Sequence, residues 1–211
     1  MSYQDEERIK AKKQLEEMEE QARKEAESKE EAKQSIYDEY VCFEEKQFTF
    51  ERRLVGELPV SIYMPKDFRL MTPEEKDIVF ARTKPPKYAY FGDGIPFSMA
   101  VNVTESPLKN EQVKTFLNYS SKIIENMVPK AKVLRTYMAG EEEFLVGNAE
   151  FLSMGFDGMI YNLMLFASVE EKLLVIDISF ENKEKKKLLP LMKEIAGSLK
   201  AEVIEDESDY V

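Results

Sequence analysis

At 211 residues, with 30 Lys and Arg against 41 Asp and Glu, the chain carries a formal net charge of −11 at pH 7 and repels phosphate backbones, which argues against a nucleic-acid partner. It holds no histidine and a single cysteine, Cys42, so the side chains that most often supply neutral-pH proton transfer, nucleophilic attack and zinc ligation are nearly absent. The length and the 43% hydrophobic content suit one core with an appendage.

Met1-Ser2-Tyr3-Gln4-Asp5-Glu6-Glu7 lacks the cationic start and apolar stretch of a secretory leader, and no apolar run approaches the ~20 residues that cross a bilayer. With one cysteine and no internal disulfide to form, a cytoplasmic setting is expected. Residues 3–37 contain neither Gly nor Pro and are dominated by strong helix formers. Glu6–Lys10, Glu20–Lys24 and Glu25–Lys29 stand four apart with the acid first, the favourable orientation on a helix surface. Residues 1–39 are therefore predicted as a long charged helix. Its stripe of Ile9, Leu15, Met18 and Ala22 runs out at Glu25 and Lys29, which leaves open a solvated helix, a weak coiled-coil dimer or a docking arm.

Composition changes at Tyr40, where the main domain, residues 40–201, is expected to begin. Residues 41–46, 48–55 and 60–64 read as strands punctuated by Gly56 and Pro59, and 77–82 and 97–104 continue the pattern. Between the last two lies a loop, residues 83–96. Ser106-Pro107 announces an amphipathic helix with Val113, Phe116, Leu117, Ser120, Ile124 and Met127 on one side, stopped by Pro129. Residues 131–139, 143–154, 157–168 and 173–180 form a predicted four-strand meander. The third of these is apolar on both alternating faces, so both faces must be covered. A last helix over 183–200 turns Leu188, Leu191, Met192, Ile195 and Leu199 inward, with Pro190 awkward inside it. Residues 202–211 read as an acidic flexible tail.

This order predicts an α+β fold, an α/β/α sandwich with a mainly antiparallel sheet. Val60-Ser61-Ile62-Tyr63-Met64-Pro65-Lys66-Asp67-Phe68, Phe97-Ser98-Met99-Ala100-Val101-Asn102-Val103, Gly147-Asn148-Ala149-Glu150 and Ile195-Ala196-Gly197-Ser198-Leu199 together resemble the PsbP/Mog-type superfamily over about residues 41–201. That superfamily includes a Ran-binding nuclear import factor, an extrinsic photosystem II subunit, DcrB-type envelope lipoproteins and Eag-type effector chaperones. The resemblance implies binding without catalysis, and an intracellular adaptor or effector-chaperone role.

Tyr88, Tyr90 and Phe91 beside Pro85-Pro86 are candidate partner-binding aromatics, because rings on stiff backbone lose little entropy when they bind. Met64, Met99, Met138, Met154, Met159 and Met164 either fill the core or line an adaptable groove, with Met99, Met154 and Met164 the candidates for partner contact. Gly92-Asp93-Gly94 reads as a tight turn and Glu141-Glu142-Glu143 as a solvated hairpin tip. Lys183, Lys185, Lys186 and Lys187 read as a solvated helix start, with Glu181 and Glu184 among them. Asp177, between Ile176 and Ile178, is the best candidate acid or base, with Asp157 its potential partner. No catalytic, cofactor or metal residue is assigned. The expected function is a non-catalytic protein-binding module; a small-molecule or lipid carrier and an acid-based hydrolase are the alternatives.

Overall fold

The computed structural model describes residues 34–43, 46–81, 84–128, 130–155 and 157–202. The predicted long helix, residues 1–39, lies outside the described residues as far as residue 33, with any dimerisation through it, but residues 34–39 are turn and bend rather than helix because Ile36 is buried in the core. The acidic tail lies outside from residue 203, while Glu202 is held by the Pro59 carbonyl and the Ser61 hydroxyl.

A short hairpin, β1 (Val41–Phe43) with β2 (Lys46–Phe48), leads into the antiparallel pair β3 (Phe50–Leu54) and β4 (Val60–Pro65). Then come β5 (Arg69–Leu70), α1 (Pro73–Val79), β6 (Tyr88–Phe91) and β7 (Phe97–Pro107). After α2 (Val113–Met127) the chain makes its meander of β8 (Lys132–Glu141), β9 (Phe144–Met154), β10 (Met159–Val169) and β11 (Lys172–Glu181). It closes with α3 (Lys185–Gly197) and β12 (Lys200–Ala201). The β10–β11 turn is held by Glu170 and Glu171, both at positive φ (52° and 58°), between the paired Val169 and Lys172. That is the two-residue geometry whose twist matches the flanking strands.

The strands assemble into a seven-stranded sheet of order β5-β6-β7-β11-β10-β9-β8 and a three-stranded sheet of order β12-β4-β3, every pair antiparallel. Alternation along β10 and β11 divides the core. Leu163, Leu165, Ala167, Leu174, Ile176 and Ile178 pack with Val60, Ile62 and Met64 of β4 and with Leu188, Leu191, Met192 and Ile195 of α3. Met164, Phe166, Leu173 and Val175 point the other way, toward Val113, Leu117 and Ile124 of α2. Phe116 meets Phe166 edge-on at 5.2 Å. Gly147 lets α2 approach, since a Cβ there would lie 3.2 Å from the Leu117 side chain. The result is an α+β architecture of antiparallel sheets, with a helix on each face of the larger one. Among the described residues no helix is long and apolar enough to cross a membrane.

Several expectations need correction. The strand expected over 77–82 does not form in its described part, 77–81: α1 occupies 73–79, nucleated by Thr72, which accepts from the Glu75 N–H while Glu75 accepts from the Thr72 N–H, with Pro73 in the first turn. The predicted loop 83–96 contains β6, paired with β5 and β7. Ser106-Pro107 does not start α2. It ends β7, where Pro107 lies opposite Lys172, and the helix follows a single 3-10 turn at Asn110–Gln112. The last helix ends at Gly197 rather than residue 200, because Lys200 and Ala201 pair with β4 as β12. Pro190 neither starts nor ends α3; it sits inside it on the exposed side.

Candidate functional site

A strongly polar group is built into the core across β8 and β9. Their register sets Arg135 opposite Glu150, Tyr137 opposite Asn148 and Ala139 opposite Val146. A bulge between Val133 and Arg135 makes this possible. Val133 packs in the α2-side cluster, so strict alternation would send Arg135 to that side as well. The extra residue, Leu134, shifts the phase and re-aims Arg135 to the opposite face, toward Glu150. Above this face, successive turns of α3 supply Lys193, Ala196 and Gly197.

Glu150 is only 3% exposed and is fully engaged. Arg135 Nη2 donates to its Oε1 at 2.5 Å, the Tyr161 hydroxyl donates to its Oε2 in a short bond, and Lys193 Nζ stands 3.7 Å from Oε1. Burial acts to raise the Glu150 pKa. The bonds from Arg135 and Tyr161, with the Lys193 charge, outweigh it and hold the carboxyl below the ordinary glutamate value. Burial first, and then the Glu150 charge, push the Tyr137 phenol up to about 12, so it is a neutral hydroxyl at physiological pH. Burial and the bond to Glu150 raise Tyr161 as well. The Arg135 guanidinium lies 5.1 Å from the Tyr137 ring centre, and Lys185 Nζ lies 4.7 Å from that of Tyr161.

Beside this cluster opens a cleft of about 190 Å³ lined by Arg135, Tyr137, Ala139, Asn148, Lys193, Ala196 and Gly197. Two cations and one carboxylate leave it with a surplus positive charge in a chain whose net charge is −11. The arrangement offers N–H and O–H donors on fixed supports. It is equipped to hold a ligand.

No family model matches the chain, and no curated protein matches its sequence. Solved structures do match. Cyanobacterial PsbP (CyanoP) from Synechocystis sp. PCC 6803 is similar with a TM-score of 0.54 at 11% identity, over 76% of this chain and 96% of that one. The fold is PsbP-like. LpqN, involved in cell envelope biogenesis of Mycobacterium tuberculosis, is similar with a TM-score of 0.46 at 10% identity, over 74% of this chain and 92% of its own. At such identities the likeness is one of fold.

Within this PsbP-like fold the candidates chosen from sequence do not converge on the cleft. Tyr90 is 2% exposed and sits in the larger core cluster, its hydroxyl accepting from the Gly56 N–H. Tyr88 packs over Gly56, where a Cβ would fall 2.3 Å from the ring, and Phe91 is half-buried under Arg69. Met64 and Met99 are core residues, and Met138 and Met164 pack against the α2-side cluster. Met154, 56% exposed, faces Met159 across the β9–β10 pair at its open end. Gly92–Gly94 is the expected tight turn, closed by the Ile95 N–H on the Gly92 carbonyl. Glu141–Glu143 is a hairpin tip pinned by Asn110, which donates to the Glu142 carbonyl and accepts from the Leu145 N–H.

Asp177 is half-buried with its Oδ1 wholly enclosed and unpartnered, and burial pushes its pKa up to about 7. It lies between Met164 of β10 and Ala100 of β7. Asp157 is exposed before the start of β10 and does not meet it, so the paired-carboxylate arrangement is corrected. Sequence reasoning missed Glu150. Its signal was there: Asn148 and Glu150 fall on one alternating face of a strand whose neighbours Val146, Ala149 and Phe151 are core residues.

Proposed function

We propose that this chain is a non-catalytic intracellular binding module of the adaptor or effector-chaperone kind, which recognises another protein along β8 with the Arg135 cleft as the point of selection. The observation that carries the reading is Arg135 itself. A bulge turns it inward from the outermost strand of the larger sheet, and a buried carboxylate fixes one side of its guanidinium at the mouth of a cleft. An outermost strand of ten residues offers main-chain groups that an incoming extended segment can pair with, while a pocket beside it selects a side group. The size of the cleft supports a peptide group over a lipid: about 190 Å³ lies below the ~300–1,000 Å³ of pockets that engulf whole drug-sized ligands. The test is amide hydrogen exchange on the full chain, alone and bound to a purified partner. Protection is expected across residues 132–141, and protection confined to other elements overturns the reading.

A small-molecule carrier is the second reading, favoured by the same surplus charge. Native mass spectrometry of freshly purified protein separates the two: a stoichiometric small anion released by Lys193→Gln supports the carrier.

A further inference from the structure

We infer that the cleft is a carboxylate pocket, and that its occupant is the C-terminal carboxylate of an extended segment ending beside β8. The inference rests on the reading of β8 as a protein-binding edge and gives that partner a chemistry. Glu150 has already taken one side of Arg135, the Nη2 group, and among the described residues no other hydrogen bond from this guanidinium is formed. The side chain is 50% exposed, so Nε and Nη1 stay open to a ligand. Lys193 approaches Glu150 only to 3.7 Å, beyond a good hydrogen bond, and keeps donors free as well.

Charge chooses the ligand. Arg135 and Lys193 against Glu150 leave one positive charge, which a monoanion neutralises and a dianion overshoots. The last turn of α3 ends at Gly197 on the cleft wall, and its carbonyls place roughly half a negative charge there. That partial charge opposes any anion, and a phosphate dianion about twice as strongly as a carboxylate. A planar carboxylate also matches the two-donor edge of a guanidinium better than a point charge does. Shape chooses the neighbour of that group. Ala139, Ala196 and Gly197 supply only small side chains, which leave room for a small terminal residue.

The experiment titrates the full-length chain with N-acetyl-Val-Ala, its C-terminal amide, N-acetyl-Glu-amide and inorganic phosphate, following the Arg135 Nε–H and Gly197 N–H resonances. The free acid should give saturable shifts, with the amide at least tenfold weaker. Ala139→Leu, which narrows the cleft without touching a charge, and Lys193→Gln should each weaken the free acid by fivefold or more while the spectra stay dispersed. Arg135→Gln also unsettles Glu150, so it is not the deciding variant. Equal binding of the amide removes the carboxylate from the account but leaves β8 recognition standing. Equal binding of N-acetyl-Glu-amide, or tighter binding of phosphate, overturns the C-terminal assignment. Absence of saturable shifts with every probe removes the cleft as a site.

Discussion

Glu150 and Asp177 are two carboxylates in one sheet whose surroundings push them in opposite directions. Glu150 has partners on both oxygens, so its folded pKa lies below its unfolded one, and the stability it contributes is full above the ordinary glutamate pKa and lost as pH falls through the depressed folded value. Glu150→Gln leaves Arg135 beside Lys193 without the intervening charge. It should cost about 1–3 kcal/mol at pH 7, the lower end applying because Arg135 is half solvated, with the gap from the native chain narrowing below about pH 4. Urea denaturation at both pH values checks this. Asp177 has no partner for Oδ1, and its pKa of about 7 means that the folded state holds a proton the unfolded chain has released. Its contribution is therefore full below the ordinary aspartate pKa and lost as pH rises toward 7. Asp177→Asn should abolish that loss, raising the melting temperature by several degrees at pH 8 and little at pH 4, which thermal melts across the range would read. A variant no more stable than the native chain at pH 8 contradicts the assignment.

Helix α3 keeps a proline in its interior because its buried side outweighs the defect. Pro190 deprives the Lys186 carbonyl of its usual donor, yet Leu188, Leu191, Met192 and Ile195 are buried around it. Pro190→Ala, at an exposed position, should stabilise the protein by about 1 kcal/mol or more, seen as a higher midpoint in denaturant with an unchanged slope. Helix α1 is the reverse case: well capped, with no buried residue and Ile78 78% exposed. Thr72→Ala should speed amide exchange within residues 73–79 while global stability changes by less than about 0.5 kcal/mol. These elements also show what local sequence can convey. The meander β8–β11 and the inward side of α2 from Val113 to Ile124 were legible because alternation and helical spacing are properties of each segment alone, whereas Met127, expected on that side, is 76% exposed in the last turn. The capping box of α1 was equally local, but the apolar run Ile78-Val79-Phe80 resembles a strand and masked it. Strand β6 is four residues long and owes its state to pairing with β7 and β5, partners that no single segment reveals. The Arg135–Glu150 pair depends in addition on a bulge that reverses the phase of β8 partway along. From alternation counted back to Val133, Arg135 belongs on the α2 side, so the cleft was out of reach of the sequence.

At the scale of the whole molecule, two hydrophobic clusters share one sheet. β10 and β11 contribute side chains to both: Leu163, Leu165 and Ile176 to the α3 side, and Phe166, Leu173 and Val175 to the α2 side. Neither cluster can come apart while those strands stay paired and dry, because loss of either helix exposes a face that water must then solvate. Cooperativity across the sheet follows. Leu117→Ala, which opens space over Gly147 on the α2 side, and Met192→Ala, in the larger cluster, should each cost about 2–4 kcal/mol. Both should shift one common unfolding transition, with circular dichroism and tyrosine fluorescence moving together and the denaturant slope unchanged. The two sites lie on opposite faces and belong to separate clusters, so the double variant should add the two costs to within about 0.5 kcal/mol. A biphasic curve for Leu117→Ala, in which α2 is lost before the sheet, would show instead that the α2 side is a separately stable layer.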